Sequence, residues 1–164
     1  MANEIESVWD YPRPPRLERS AELVRVVHRG IVVAESRATY RVLETSHPPV
    51  YYIPPGDVAH VVASARRSSF CEWKGQARYF TLDVSAAVAT LDPRAVSVDC
   101  AWSYPAPTGA FGAIADHLAF YASRVDECTV DGERVIPQAG DFYGGWITSR
   151  IEGPFKGLPG TSGW

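Results

Sequence analysis

Residues 46–82 read SHPPVYYIPPGDVAHVVASARRSSFCEWKGQARYFTL. Two aromatic, strand-like runs, Val50–Ile53 and Ala77–Leu82, enclose a Pro54-Pro55-Gly56 turn. Tyr, Phe and β-branched residues of this kind suit a pleated, half-buried surface, and the prolines end the first run sharply. Asp57 stands where a helix N-cap belongs, before Val58-Ala59-His60-Val61-Val62-Ala63. Only about two turns fit before Arg66-Arg67-Ser68-Ser69, so a short helix is expected between the strands.

Outward from this stretch the period of two continues. Upstream, Leu23–Val27 and Ile31–Ala34 flank His28-Arg29-Gly30 as strand, turn and strand, and Thr39–Leu43 is a third strand. Downstream, Val96–Tyr104 alternates so that Val98, Cys100, Trp102 and Tyr104 share one face, with Asp99, Ala101 and Ser103 on the other. Pro105 and Pro107 stop it. Ala113–Tyr121 fits both the helical and the strand period. Cys128–Val135 reads as a hairpin about Asp131-Gly132. From Pro137 onward glycine dominates, and the tail is expected to be irregular, held by Phe142, Tyr143, Trp146 and Trp164. The order predicts a mainly β, antiparallel two-sheet domain with one or two short helices. Its expected segments are an extended N-terminal arm (1–19, with YPRPP favouring polyproline II), a β-rich core domain (20–136) and a Gly-rich tail packed on the core (137–164).

The 164 residues carry a net charge of −3, with 46% hydrophobic and 21% charged residues, values of a globular chain. That charge supplies no global reason to expect nucleic acid or an anionic membrane as a partner. The 3 cysteines stand far apart, with no CxxC pair. This argues against a zinc knuckle or a disulfide framework and for a reducing compartment. The start, MANEIESVWDYPRPP, lacks a basic stretch followed by an apolar run, and no apolar run approaches the roughly 18 residues of a membrane span. A cytoplasmic protein without metal or cofactor is expected. The aromatic content stands out: 5 Trp, 8 Tyr and 6 Phe, several beside Pro or Gly, where aromatics pack cores but also build pockets and interfaces.

Cys71-Glu72-Trp73-Lys74-Gly75 is the most informative small motif. A lysine held near aromatic faces can bind an anion, or act as a base if desolvated, whereas in a plain surface turn it is simply solvated. Phe155-Lys156-Gly157 repeats the aromatic-Lys-Gly order; if both turns face one cleft, two ammonium groups make an anion site. Arg78 and Tyr79 are strand neighbours, so at most one of them shares a given pocket. Cys71 has no local base to make it a nucleophile. His28, His47, His60 and His117 are scattered, without the tight ligand pair of a metal site. No G-x-S-x-G, Walker loop or G-x-G-x-x-G occurs.

Several successive motifs carry a resemblance: RVVHRGIVVAESRATYRVLETSHPPVYYIPPGDV, SSFCEWKGQARYFTL, CAWSYPAP, HLAFYASRVDECTVDGERV and FYGGWITSRIEGPFKGLPGTSGW. In these the chain resembles the family called domain of unknown function 427, labelled nucleotidyltransferase-like. The chain lacks the Gly-Ser with paired acidic residues of the ordinary nucleotidyltransferase pattern. The resemblance implies a β-tent-like fold, two antiparallel sheets pinned at one edge and open as a cleft. Relatives in that wider group often carry zinc on CxxC pairs, which this chain lacks, and some hold small ligands in an aromatic cage.

The expected function is therefore small-molecule binding in a cleft built from Tyr51 or Tyr52, Trp73, Lys74, Arg78, Tyr79, Trp102 and Tyr104. Aromatic faces would hold a planar group, with Lys74 or Arg78 at its anionic or carbonyl end. One alternative is an enzyme acting on a nucleotide or phosphorylated metabolite, which needs Lys74 or Arg78 near a carboxylate such as Asp57 or Asp99. The other is an interaction module, a homodimer made through the Trp9 arm and the tail.

Overall fold

Two dipeptides set the tightest turns. Arg29-Gly30 (φ 51° and 78°) and Asp131-Gly132 (φ 49° and 83°) each place two successive residues at positive φ. That is the two-residue hairpin turn whose twist matches its flanking strands. The computed structural model describes residues 4–71, 73–88, 91–140 and 142–164, with Arg66 and Arg67 described by backbone alone.

In chain order the strands are β1 (Glu6–Ser7), β2 (Arg16–Ser20), β3 (Val24–His28), β4 (Ile31–Ser36), β5 (Thr39–Leu43), β6 (Val50–Tyr52), β7 (Val61–Cys71) and β8 (Gly75–Asp83). They continue as β9 (Val96–Ser103), β10 (Ala119–Phe120), β11 (Glu127–Val130), β12 (Glu133–Arg134), β13 (Ile136–Pro137), β14 (Trp146–Ile147) and β15 (Ile151–Glu152). Two four-stranded sheets, β10-β9-β8-β7 and β12-β11-β3-β4, form the body, beside a three-stranded sheet β2-β5-β6 and the pairs β13-β14 and β1-β15. The fold is mainly β, and its named strands pair antiparallel except for the parallel β1-β15. Among the described residues no sheet closes into a barrel, and the helical segments are short 3-10 turns. No helix among the described residues is long and apolar enough to cross a membrane.

The short helix expected after Asp57 is absent. A 3-10 turn spans Pro55–Asp57, with the Asp57 N–H bonded to the Pro54 carbonyl at 3.0 Å and no side-chain cap. Val58 then bridges Ala34, and the Ala59 N–H donates to Val33 O at 2.8 Å. His60 follows at φ 66°, a left-handed conformation that cannot continue a helix. The valines beyond it enter β7 and pair with β8 from Val61↔Leu82 to Cys71↔Gly75. An apolar run that fits either period is settled by its partner strand.

The single face expected in β9 is also broken. Between the pairs Phe80↔Ala101 and Leu82↔Ser97, three residues of β9 oppose Thr81 alone, and Asp99 takes φ 54°. Val98 is consequently exposed, while Cys100 and Ala101 are both fully buried in the main core with Phe120, Leu82 and Trp146. Trp102 and Tyr104 belong to a second cluster, together with Tyr52, Tyr79 and Tyr121. The ambiguous stretch near residue 113 divides into a 3-10 turn (Gly109–Ile114) and β10.

The described residues near both termini pack onto this body. Strand β2 pairs with β5 from Arg16↔Leu43 to Ser20↔Thr39. The Trp9 indole donates to Pro154 O at 2.8 Å and meets the Trp164 ring at 5.2 Å. Trp146 is 1% exposed, stacks on Tyr51 and donates to Phe120 O at 2.9 Å. Phe142 does not serve as an anchor; it is 62% exposed.

Beneath the N-terminal segment lies an ionic network. Arg41, 1% exposed, donates two bonds of 3.0 Å to Glu6 and bonds of 3.2 and 2.5 Å to Glu18. Arg150 bridges Glu6 (2.8 Å) and Glu22 (2.9 Å). The hydroxyls of Tyr11 and Tyr51 donate to Glu6 (2.6 Å) and Glu22 (3.0 Å). Every charge in it meets an opposite one, as a desolvated network requires.

Candidate functional site

The second aromatic cluster forms the floor of a cavity of about 340 Å3. Its geometry follows from strand alternation. In β8 the side chains of Ala77 and Tyr79 are buried and those of Gln76 and Arg78 are exposed. Tyr79 pairs directly with Trp102 of β9, so the two share a face. In β6 Tyr52 faces this cluster, while its neighbour Tyr51 stacks in the main core on Trp146.

Of the residues expected from sequence, Tyr52, Trp73, Lys74, Tyr79, Trp102 and Tyr104 line the cavity. Tyr51 and Arg78 do not. Arg78 borders a separate depression with Ser64, Ala65, Ser68, Gln76, Pro105 and Ala106. Asp57 and Asp99, the carboxylates considered as partners for a reacting lysine, line neither.

Lys74 sits in the turn between β7 and β8, and the segment after β9 folds over that turn. Thr108 Oγ1 donates to the Trp73 carbonyl, and the Thr108 N–H donates to Lys74 O at 3.3 Å. Gly75, at φ 101°, provides the left-handed backbone the turn requires. Lys74 is only 8% exposed as a result, with its Nζ 5.6 Å from the Tyr104 ring centroid and 5.8 Å from that of Phe111. Among the described residues no carboxylate pairs with it; Glu72 lies outside them. Aromatic faces partly offset the desolvation of such a cation but do not neutralise it.

The Tyr52 and Tyr104 hydroxyls near it are neutral. Burial pushes the Tyr52 and Tyr104 phenols well above their ordinary values, so they act as hydrogen-bond donors and acceptors rather than phenolates. The Trp102 indole donates to Tyr52 Oη at 3.3 Å, Tyr79 Oη lies 3.0 Å from Ser69 Oγ, and Tyr121 donates to Phe142 O at 3.3 Å. The Trp102 and Tyr121 rings are 4.6 Å apart.

Several lining residues were not singled out for the site in the sequence: Glu44, His47, Tyr121, Gln138, Tyr143 and Gly144. A Cβ on Gly144 would lie 2.0 Å from Trp102 Cη2, so only glycine lets the tail backbone lie flat against the indole. The Phe142-Tyr143-Gly144-Gly145 run was the available signal. Lys156, the lysine of the repeated aromatic-Lys-Gly order, lines this same cavity.

Among the described residues no cluster of His, Cys, Asp or Glu could hold a metal ion. Residues 16–131 match the family described as Domain of unknown function (DUF427). The chain belongs to this family. The matched DUF427 segment carries the β6, β8 and β9 walls of the cavity, while Gln138, Tyr143, Gly144 and Lys156 lie beyond it. No curated protein matches the chain.

Proposed function

We propose that the cavity binds a small molecule with a planar or cyclic body, held by Tyr52, Trp73, Trp102 and Tyr104, and an anionic or carbonyl end met by Lys74. One observation carries the reading. Lys74 is almost wholly buried at an aromatic cavity and lacks a carboxylate partner among the described residues. A lysine buried for structure alone would be expected to have such a partner, and an anionic ligand would fill that role. Binding is preferred to turnover because the cavity's described carboxylate, Glu44, is already paired with Arg13 at 3.4 Å.

Thermal-shift screening against a metabolite panel tests this. A ligand at 100 times its dissociation constant stabilises by roughly 2.7 kcal/mol. The shift is expected for aromatic anions, to vanish with Lys74→Met and to persist with Arg78→Ala. A shift that survives Lys74→Met unchanged, or a panel of aromatic anions that produces none, would overturn the proposal.

A further inference from the structure

The cavity carries a second cation, and it comes from outside the matched family segment. Lys156 is positioned through its backbone: its N–H donates to Ser46 O at 2.9 Å, and its carbonyl accepts from Gln138 Nε2 at 2.8 Å. Its ammonium lies 5.6 Å from the Tyr143 ring centroid, and among the described residues no carboxylate pairs with it. Gln138 is itself fixed on its other side, accepting from the Gly145 N–H at 3.0 Å. Lys74 and Lys156 thus reach one cavity from two turns far apart in the chain. Glu44 offers no free balance, because Arg13 already pairs with it at 3.4 Å.

A singly charged ligand end balances only one of these ammonium groups, whereas a compact dianion balances both. We infer that the cavity selects a phosphate-monoester-type dianion on an aromatic or heterocyclic body, with Lys156 distinguishing two charges from one. This rests on the reading of the cavity as a binding site given above. His47 supports it independently. Burial pushes its imidazole below the ordinary value; Glu44 opposes this, and the charges of Lys156, Arg13 and Lys74 add to it. Both lysine fields therefore converge beside that ring.

Phenyl phosphate, phenyl sulfate and phenol share one ring and carry two, one and no charges at about pH 8. Their binding is followed by tryptophan fluorescence, since Trp73 and Trp102 line the cavity. Phenyl phosphate is expected to bind about tenfold more tightly than phenyl sulfate, with phenol weakest. Lys156→Met should bring the two anions within about threefold of each other, and Lys156→Arg should keep the preference. A melting curve confirms that each variant is folded. Equal affinity for both anions in the unsubstituted protein overturns the inference and leaves the binding reading standing, provided Lys74→Met weakens both. The inference also fails if Lys156→Met weakens both anions by the same factor. No response to any probe removes the binding reading and this inference together.

Discussion

Two sets of charges in this protein, each with one buried cation, are built on opposite plans. Around Arg41, two arginines and three glutamates exchange hydrogen bonds of 2.5–3.2 Å, and two tyrosine hydroxyls complete the glutamates' coordination. Around Lys74 and Lys156 there are rings, hydroxyls and a cavity, but no carboxylate paired with either lysine among the described residues. The first set ties β1, β2 and the Arg150 turn to β5. In the second, a buried lysine and a half-buried one face a cavity without a paired carboxylate among the described residues. Desolvating a charge costs several kcal/mol unless a partner repays it, so the two sets mark different uses of the same residue types.

The comparison breaks most readily at Arg41. Arg41→Met leaves Glu6 and Glu18 without their shared cation and is expected to cost about 3–5 kcal/mol in chemical denaturation. A loss below about 1 kcal/mol would show that the network contributes little to stability.

Acid tests the same set next. Burial by itself raises the Glu6 carboxyl, but hydrogen bonds from Arg41 and Tyr11 and the charges of Arg41 and Arg150 outweigh it, leaving it below its ordinary value. A carboxyl lowered on folding stabilises the protein fully above the unfolded glutamate value of about 4.3 and loses that contribution as pH falls through the lower folded value. Melting temperature should therefore drop on acidification below that value. The Glu6→Gln variant should show a shallower drop, and parallel curves would exclude Glu6 as its source.

Lys74→Met sharpens the other side. It removes a buried charge that has no carboxylate partner among the described residues while keeping the packed stem, so stability should stay within about 1 kcal/mol of the parent or rise. A loss like that of Arg41→Met would make Lys74 a structural cation. Smallest of all is Arg78→Ala. Its exposed side chain borders a different depression, and the change should lie within about 0.5 kcal/mol in the same denaturation series.

Much of the candidate site was legible. Trp73, Lys74, Tyr79, Trp102 and Tyr104 sit in strands or turns whose local pattern marked them, and each lines the cavity. Alternation also limited Arg78 and Tyr79 to opposite faces, although it could not say which faced inward. That choice, like the one between Tyr51 and Tyr52, depends on what covers each side of the sheet: Trp146 covers Tyr51, and Trp102 meets Tyr52. Two readings of local structure failed at left-handed residues. His60 turned an expected helix into the entry to β7, and Asp99 broke the expected single face of β9. Non-glycine residues reach positive φ only when their surroundings compensate, which a local period does not register.

The sequence by itself determined a mainly β, antiparallel chain, its two Gly-containing hairpin turns and its family. Alternation, turn chemistry and motif order are local properties, and they act before any tertiary contact forms. Tertiary structure alone decided that Lys74 would be buried without a carboxylate partner among the described residues, and that Lys156 would join it from the tail. Burial and counter-charge depend on segments that meet only when the sheets pack, and Gly144 lying flat against Trp102 is one contact that brings the tail to the cavity.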